Sequence, residues 1–123
     1  MRLHPGPYEE VARIDIQLDI EGTEGWRIVR VGGEVDLFTA PKLKEGILDL
    51  LNGGVTKLVV DLEKVDFMDS TGLGVLVGAL RRLKERDGTL SLVCPQGPVL
   101  RVLEVTGLSK VFDIHDTVGD ATG

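Results

Sequence analysis

Apolar and polar residues alternate near the start of the chain, with a period of two that predicts a strand with one wet face. The apolar positions of this strand are Ile14, Ile16, Leu18 and Ile20. Gly22 and Gly25 then indicate a turn, and residues 26–31 predict a second strand, so the two strands are expected to form a hairpin. The pair Gly32-Gly33 that follows predicts a bulge or a bend.

Two later segments repeat their apolar residues at helical spacing, so each is predicted to be a helix with one apolar face. The first begins after Thr39, a capping residue type, has Pro41 in its first turn and ends at Gly53-Gly54. The second follows a polar cluster at residues 69–72 and ends at Gly88. The two apolar faces comprise Leu43, Ile47, Leu50 and Leu51 in the first helix and Leu73, Leu76, Val77, Leu80 and Leu83 in the second.

Short apolar runs separate the predicted helices. Residues 57–62 contain three consecutive apolar residues, which is typical of a strand buried on both faces. Residues 89–94 predict another strand, residues 98–105 a short helix and residues 111–114 a last strand. The order β-β-α-β-α-β-α-β, with one further short helix at the end, predicts an α/β fold with a mixed, mostly parallel sheet of about five strands and about four helices.

The chain of 123 residues has the length of one domain. Residues 1–11 hold two prolines and show little periodicity, so we expect an N-terminal arm there. The domain itself is predicted to cover residues 12–117, and residues 118–123 are expected to form a polar C-terminal tail.

Charge and cysteine content exclude several classes of function. The 20 acidic residues outnumber the 14 basic ones, and the formal net charge of −6 disfavours binding to nucleic acid or to an anionic membrane. A single cysteine, Cys94, excludes an intramolecular disulfide and a multi-cysteine metal site, and two distant histidines argue against a histidine-rich one. The apolar runs are shorter than the roughly 20 residues that span a bilayer, and no secretory signal is visible, so we expect a cytoplasmic protein.

Residues 65–74 are the most informative segment, because a predicted strand there leads through a polar cluster into a helix. In the simplest interpretation Asp69 or Ser70 caps that helix and the glycines allow close packing. The spacing of a P-loop is absent, and the elbow of a serine hydrolase is broken by Met68, with no evident group to deprotonate the serine. A third interpretation is that Ser70, at an exposed helix start, accepts a phosphate from another protein.

Asp61 is a rival phosphoacceptor, because it follows an apolar run as the aspartate of a receiver domain does. A receiver domain also needs an acidic pair after its first strand and a lysine after a late strand, for Mg²⁺ and phosphate. Neither is present, and the simpler interpretation is that Asp61 ends a strand and bonds nearby backbone. Cys94 is expected to be a buried structural thiol, and His115 a solvated surface residue.

Two segments together resemble the anti-sigma factor antagonists of the STAS domain family. One is Met-Asp-Ser-Thr-Gly-Leu-Gly at residues 68–74, and the other is Gly-Glu-Val-Asp-Leu at residues 33–37, followed by Ala40 and Leu43. The two motifs lie at the separation that is usual in this family, and the predicted order of elements agrees. The resemblance therefore implies a single STAS-like domain over residues 12–117.

The resemblance implies a binding protein rather than an enzyme, with no cofactor of its own. Such proteins bind an anti-sigma factor that is also a serine kinase of the GHKL ATPase type, and binding frees the sigma factor. The kinase phosphorylates the serine of the Asp-Ser-[Ser/Thr]-Gly motif, here Ser70, and the phosphorylated protein dissociates. A PP2C-type phosphatase then restores it. Other STAS proteins are adaptors that bind a different protein partner without being phosphorylated, and this alternative stays open.

Both motifs follow predicted strands and precede predicted helices, so they should leave the same edge of a parallel sheet. The expected partner-binding residues are Asp36, Leu37, Thr39, Asp69, Ser70, Thr71, Gly72, Leu73 and Gly74. The two glycines are expected to keep this surface low, so that the backbone of a partner can approach. No catalytic or metal-ligating residue is expected.

Overall fold

A five-stranded sheet occupies the centre of the computed structural model, which describes residues 15–123. Its strands are β1 (Gln17–Thr23), β2 (Trp26–Val35), β3 (Lys57–Met68), β4 (Thr89–Val93) and β5 (Asp113–His115), and they lie side by side in chain order. β1 and β2 form an antiparallel hairpin, and each later strand pairs in parallel with the one before it. The N-terminal arm predicted at residues 1–11 lies outside the described residues.

Four helices accompany the sheet in the described part of the chain. They are α1 (Ala40–Asn52), α2 (Ser70–Lys84), α3 (Pro98–Val105) and α4 (Val118–Thr122), and a single 3₁₀ turn follows α3 at Leu108–Lys110. The predicted fold class is confirmed: the sheet is mixed and mostly parallel, with helices between its parallel strands. No helix within residues 15–123 is both long and apolar enough to cross a membrane.

The main core lies between one face of the sheet and helices α1, α2 and α3. Its buried residues include Val29, Val60 and Leu92 from the strands and Leu43, Ile47, Leu76, Leu83 and Leu103 from the helices. A smaller cluster on the other face joins Ile28, Val59 and Val93 to Ala121 of α4. The segment predicted as a polar tail therefore contains a short helix that covers part of the sheet.

The β2–β3 pair is longer than the sequence predicted, and this extension positions the candidate site. β3 continues without a break to Met68, through the polar residues that follow the strand predicted at 57–62, because it pairs with β2 as far as Val35. The register between them shifts on either side of Gly32-Gly33, and Gly33 has a φ of +101°. The predicted bulge is thus confirmed, and beyond it both strands run on to the same edge of the sheet.

Asp61 lies inside β3, so the expectation that it ends a strand is wrong. Its carboxylate is buried and accepts hydrogen bonds from Nη1 of Arg30 at 2.7 Å and from the backbone N–H of Glu63 at 3.0 Å. Nε of Arg30 also donates to Glu21 of β1 at 2.7 Å. These bonds tie three neighbouring strands together and engage both carboxylate oxygens of Asp61, which gives this residue a structural role.

Cys94 and His115, the other two side chains considered in the sequence, also lie in contact with the rest of the fold. Cys94 is buried, as predicted, and burial raises the pKa of its thiol to about 11. His115 is only partly exposed rather than fully solvated, and its Nε2 lies 3.0 Å from a carboxylate oxygen of Asp113. That carboxylate also accepts a hydrogen bond from the buried hydroxyl of Ser91 at 3.0 Å.

Candidate functional site

β2 and β3 end side by side, and the loops that follow them form the candidate site. Val35 and Met68, the last residues of the two strands, are register partners. The backbone N–H of Asp69 donates to the carbonyl of Val35 at 3.1 Å, which holds the start of α2 against the end of β2. The structure therefore brings both sequence motifs to one edge of the sheet.

Asp69 is the N-cap of α2 and also connects the two loops. Its Oδ1 accepts the backbone N–H groups of Thr71 at 2.9 Å and of Gly72 at 3.3 Å, together with the hydroxyl of Thr71. The hydroxyl of Thr71 lowers the pKa of this carboxyl most, and the backbone N–H groups of Gly72, Thr71 and Leu37 lower it further. The carboxylate of Asp69 thus caps α2, while its backbone N–H holds the helix start against the end of β2.

Ser70 is the first residue of α2, and its side chain is exposed. Its hydroxyl takes no part in the capping bonds made by Asp69, in contrast to the hydroxyl of Thr71. Among the described residues the hydroxyl of Ser70 has no hydrogen-bond partner, and it is exposed at the helix start. Within residues 15–123 no cluster of three or more His, Cys, Asp or Glu residues could hold a metal ion.

The turn between β2 and α1 is braced by Asp36 and Thr39. Oδ1 of Asp36 accepts the backbone N–H groups of Phe38 at 2.9 Å and of Thr39 at 3.1 Å. Thr39 occupies the N-cap position of α1, but its side chain makes no capping bond, so the predicted capping role is wrong. Its hydroxyl instead donates to the carbonyl of Glu34 at 2.7 Å and accepts the N–H of Asp36 at 3.0 Å. Thr39 is buried, and these bonds hold the turn in shape; its predicted contact with a partner stays a prediction.

Three large apolar side chains are exposed at this edge of the sheet. Leu37 and Phe38 are 65% and 70% exposed on the braced turn, and Phe67 is 47% exposed near the end of β3. We refer to these three residues as the apolar rim. Exposed apolar patches of this kind mark interaction surfaces. The sequence analysis missed both phenylalanines, although an aromatic residue in a polar turn after a strand was an available signal.

Of the three residues that follow Thr71, two are packed in the interior and one is exposed. A Cβ atom at Gly72 would lie 2.7 Å from Cγ of Met68 and 2.8 Å from Cγ1 of Val35, so glycine is required there by internal packing. Leu73 is also buried, in the main core. Gly74 is exposed, and a Cβ atom there would meet nothing within 4 Å. Of the two glycines, only Gly74 lies open to an approaching partner.

Comparison with known proteins shows the family to which this chain belongs. The STAS domain family matches residues 17–121 of the chain. The anti-sigma-B factor antagonist of Listeria monocytogenes is 42% identical over 94 residues, which cover 76% of this chain and 82% of that protein. A crystal structure of an anti-sigma factor antagonist from Mycobacterium paratuberculosis has a TM-score of 0.81 at 33% identity, covering 87% of this chain and 91% of that one.

A further solved relative is known in two forms. The unphosphorylated form of the anti-sigma factor antagonist SpoIIAA matches with a TM-score of 0.68 at 25% identity, covering 87% of this chain and 93% of that one. The phosphorylated form of SpoIIAA, described as a Bacillus cell fate determinant, matches with a TM-score of 0.67 at 26% identity, covering 86% and 96%. Both forms of that relative thus resemble the fold of this chain equally well.

The two glycines of the site are expected to respond differently to the same substitution. Gly72→Ala should destabilise the protein by about 1–3 kcal/mol, because the added methyl group overpacks the contact with Val35 and Met68. Gly74→Ala should leave stability unchanged or raise it by up to about 1 kcal/mol, because alanine is the better helix residue. Urea unfolding of both variants measures the difference, and equal destabilisation would contradict this division of roles.

The cap is expected to make stability depend on pH. Asp69→Ala should lower the free energy of unfolding at pH 7 by about 1 kcal/mol. Because the folded state lowers the pKa of Asp69, its stabilisation is present above the unfolded pKa near 4 and is lost as the pH falls below it. The difference between wild type and variant should therefore begin to shrink below about pH 5 and be smallest once the pH is below the lowered pKa of the folded state, where the group is protonated in both states. Asp66→Ala, which removes an exposed carboxylate nearby, is the control in urea titrations, and a pH-independent difference for Asp69→Ala would contradict the assignment.

Proposed function

Because the chain belongs to the STAS domain family, we propose that it is an anti-sigma factor antagonist that binds an anti-sigma factor and so releases a sigma factor. The anti-sigma factor is also a GHKL-type serine kinase in this proposal, and it phosphorylates Ser70. Phosphorylation ends the binding, and a PP2C-type phosphatase restores it. The chain itself is a substrate and a switch, and its partner supplies the ATP.

The contrast between two neighbouring hydroxyls carries this proposal. The hydroxyl of Thr71 donates to the carboxylate of Asp69, so phosphorylation there would break a capping bond. Ser70 is exposed and takes no part in the cap, so its hydroxyl is available without any rearrangement of the helix start. The geometry therefore favours Ser70 as the acceptor, although the two hydroxyls are adjacent in sequence.

The surroundings of Ser70 are those of a binding surface. The apolar rim lies at the same edge of the sheet, and Gly74 leaves the first turns of α2 open. Burying large apolar side chains supplies affinity, while a small hydroxyl beside them is tolerated in the interface when it finds a hydrogen-bond partner. We propose that the anti-sigma factor covers the apolar rim and Ser70 together.

A phosphate at Ser70 would change this surface and leave the fold intact. It adds about −1.5 to −2 charges at neutral pH. The N–H groups of Thr71 and Gly72 already donate to Asp69 and are not available to the phosphate. The phosphate therefore remains at the surface and does not reorganise the helix start. The similarity of this chain to both forms of SpoIIAA supports a switch without refolding. In the complex the same dianion would be desolvated beside the apolar rim, which costs several kcal/mol.

Ser70 is expected to be the only regulatory phosphosite. Incubation with ATP and the cognate anti-sigma factor kinase should place one phosphate on the wild-type protein, at Ser70 by mass spectrometry. Ser70→Ala should accept none, whereas Thr71→Val should still be phosphorylated. Stoichiometric phosphate on Ser70→Ala would show that the assignment is wrong. A wild-type protein that binds the kinase but is never phosphorylated would instead be a STAS adaptor.

Phosphorylation is expected to weaken binding to the anti-sigma factor by on the order of a hundredfold or more, and Ser70→Asp by less. Far-UV circular dichroism and the melting temperature should barely change. Thr56→Asp is the control, because it adds one charge at an exposed position just before β3, at the opposite end of the sheet. Calorimetric titration measures the affinities. A phosphorylated protein that binds as tightly as the unmodified one, or that unfolds, would contradict the proposed switch.

A further inference from the structure

A groove of about 340 Å³ runs between α1 and α2, next to the site at Ser70. Its lining residues on α1 are Lys44, Ile47 and Leu48, and those on α2 are Thr71, Gly74, Val75, Gly78, Ala79 and Arg82. The groove begins beside Thr71, at the start of α2, and reaches Arg82 in its last turn. It is therefore continuous with the surface at which Ser70 is exposed.

Two glycines of α2 line the groove, and no packing contact within residues 15–123 requires glycine at either position. Gly74 and Gly78 are one helical turn apart, and a Cβ atom at either position would meet nothing within 4 Å. Glycine is a poor residue for a helix interior, because it loses more conformational freedom than alanine on folding. Because no internal contact explains these two glycines, we infer that they leave the backbone of α2 uncovered for a closely approaching partner.

Two cations flank the groove without an internal counter-ion. Lys44 on α1 and Arg82 on α2 form no salt bridge with any residue in the described range 15–123, where the basic partners of the ion pairs are Arg30, Lys42 and His115. Both line the groove, and no acidic residue of the described range lines it. Between them the groove is lined by aliphatic side chains such as Ile47 and Val75. The groove is thus complementary to a segment that is apolar on one side and acidic at its margins.

We propose that this groove binds an acidic amphipathic helix of the anti-sigma factor kinase and thereby orients the kinase on Ser70. This proposal rests on the proposed function and adds the surface that selects the partner. Thr71 and Arg82 are separated by about 16 Å along α2, which matches about three turns of a docked helix. Apolar residues at i, i+3 or i+4 and i+7 would lie over Gly74 and Gly78, in the usual manner of a helix in a groove. Carboxylates at its margins would reach Lys44 and Arg82.

Substitutions within the groove test the proposal by calorimetric titration with the kinase that phosphorylates Ser70. Gly78→Leu fills the floor, and Arg82→Glu reverses one flanking charge, so each should weaken binding at least tenfold. Arg81→Glu is the matched control, because this exposed neighbour on the same helix does not line the groove, and it should change affinity less than twofold. Gly78→Leu should not lower the melting temperature, because a Cβ atom there meets nothing within 4 Å and leucine is the better helix residue.

Two further measurements identify what occupies the groove. The groove variants should raise KM for phosphorylation of Ser70 at least tenfold while kcat changes little, because docking is lost but the acceptor is intact. A photo-reactive residue introduced at position 78 should cross-link to a helix of the kinase that is rich in Asp and Glu. A cross-link to a basic or extended segment would overturn the proposal.

The outcomes separate this proposal from the one on which it rests. If Gly78→Leu and Arg82→Glu bind as tightly as wild type while phosphorylation of Ser70 still abolishes binding, the groove proposal is overturned and the proposed function stands. If Arg81→Glu weakens binding as much as Arg82→Glu, the attraction is general and the groove proposal is again overturned. If the unmodified protein does not bind any anti-sigma factor kinase, both proposals fail.

Discussion

The parallel pairing of β2 with β3 is the constraint on which the candidate site depends. The two strands shift register around Gly32-Gly33 and then continue together until Val35 and Met68 end opposite each other. Because both strands end at this point, the turn before α1 and the start of α2 must lie side by side. Asp69 serves both segments, because its carboxylate caps α2 and its backbone N–H donates to Val35 at the end of β2.

In the site, some side chains hold the two loops in shape by hydrogen bonds, and different side chains are exposed. Asp36, Thr39 and Asp69 are engaged in bonds that hold the two loops in shape. Ser70, Leu37 and Phe38 are exposed, and Phe67 is half exposed. A recognition surface built in this way needs little ordering when a partner binds, because the backbone beneath it is already fixed.

Much of the fold and of the site geometry followed from the sequence. Apolar periodicity is a local signal for each element, and the order of strands and helices then leaves few parallel topologies. The extension of β3 did not follow from these signals, since Glu63, Lys64 and Asp66 interrupt its apolar run and only the pairing with β2 makes it a strand. The single turn of α4 was too short to show a periodicity, and its identity depends on the cover that Ala121 gives to the sheet. Phe38 could have been recognised from its polar turn, but Phe67 could not be separated from core residues, because it lies within β3 and the sequence does not reveal which apolar strand positions are left uncovered.

The different surroundings of Gly72 and Gly74 have an evolutionary consequence. A larger residue at position 72 would collide with Val35 and Met68 in any chain with this packing, so selection for a stable fold acts on it whatever the partner is. Position 74 has no such neighbours, so it is free to diverge after gene duplication. If a partner covers position 74, as proposed, substitutions there would insulate paralogous copies in one cell from each other's signals without passing through an unstable ancestor.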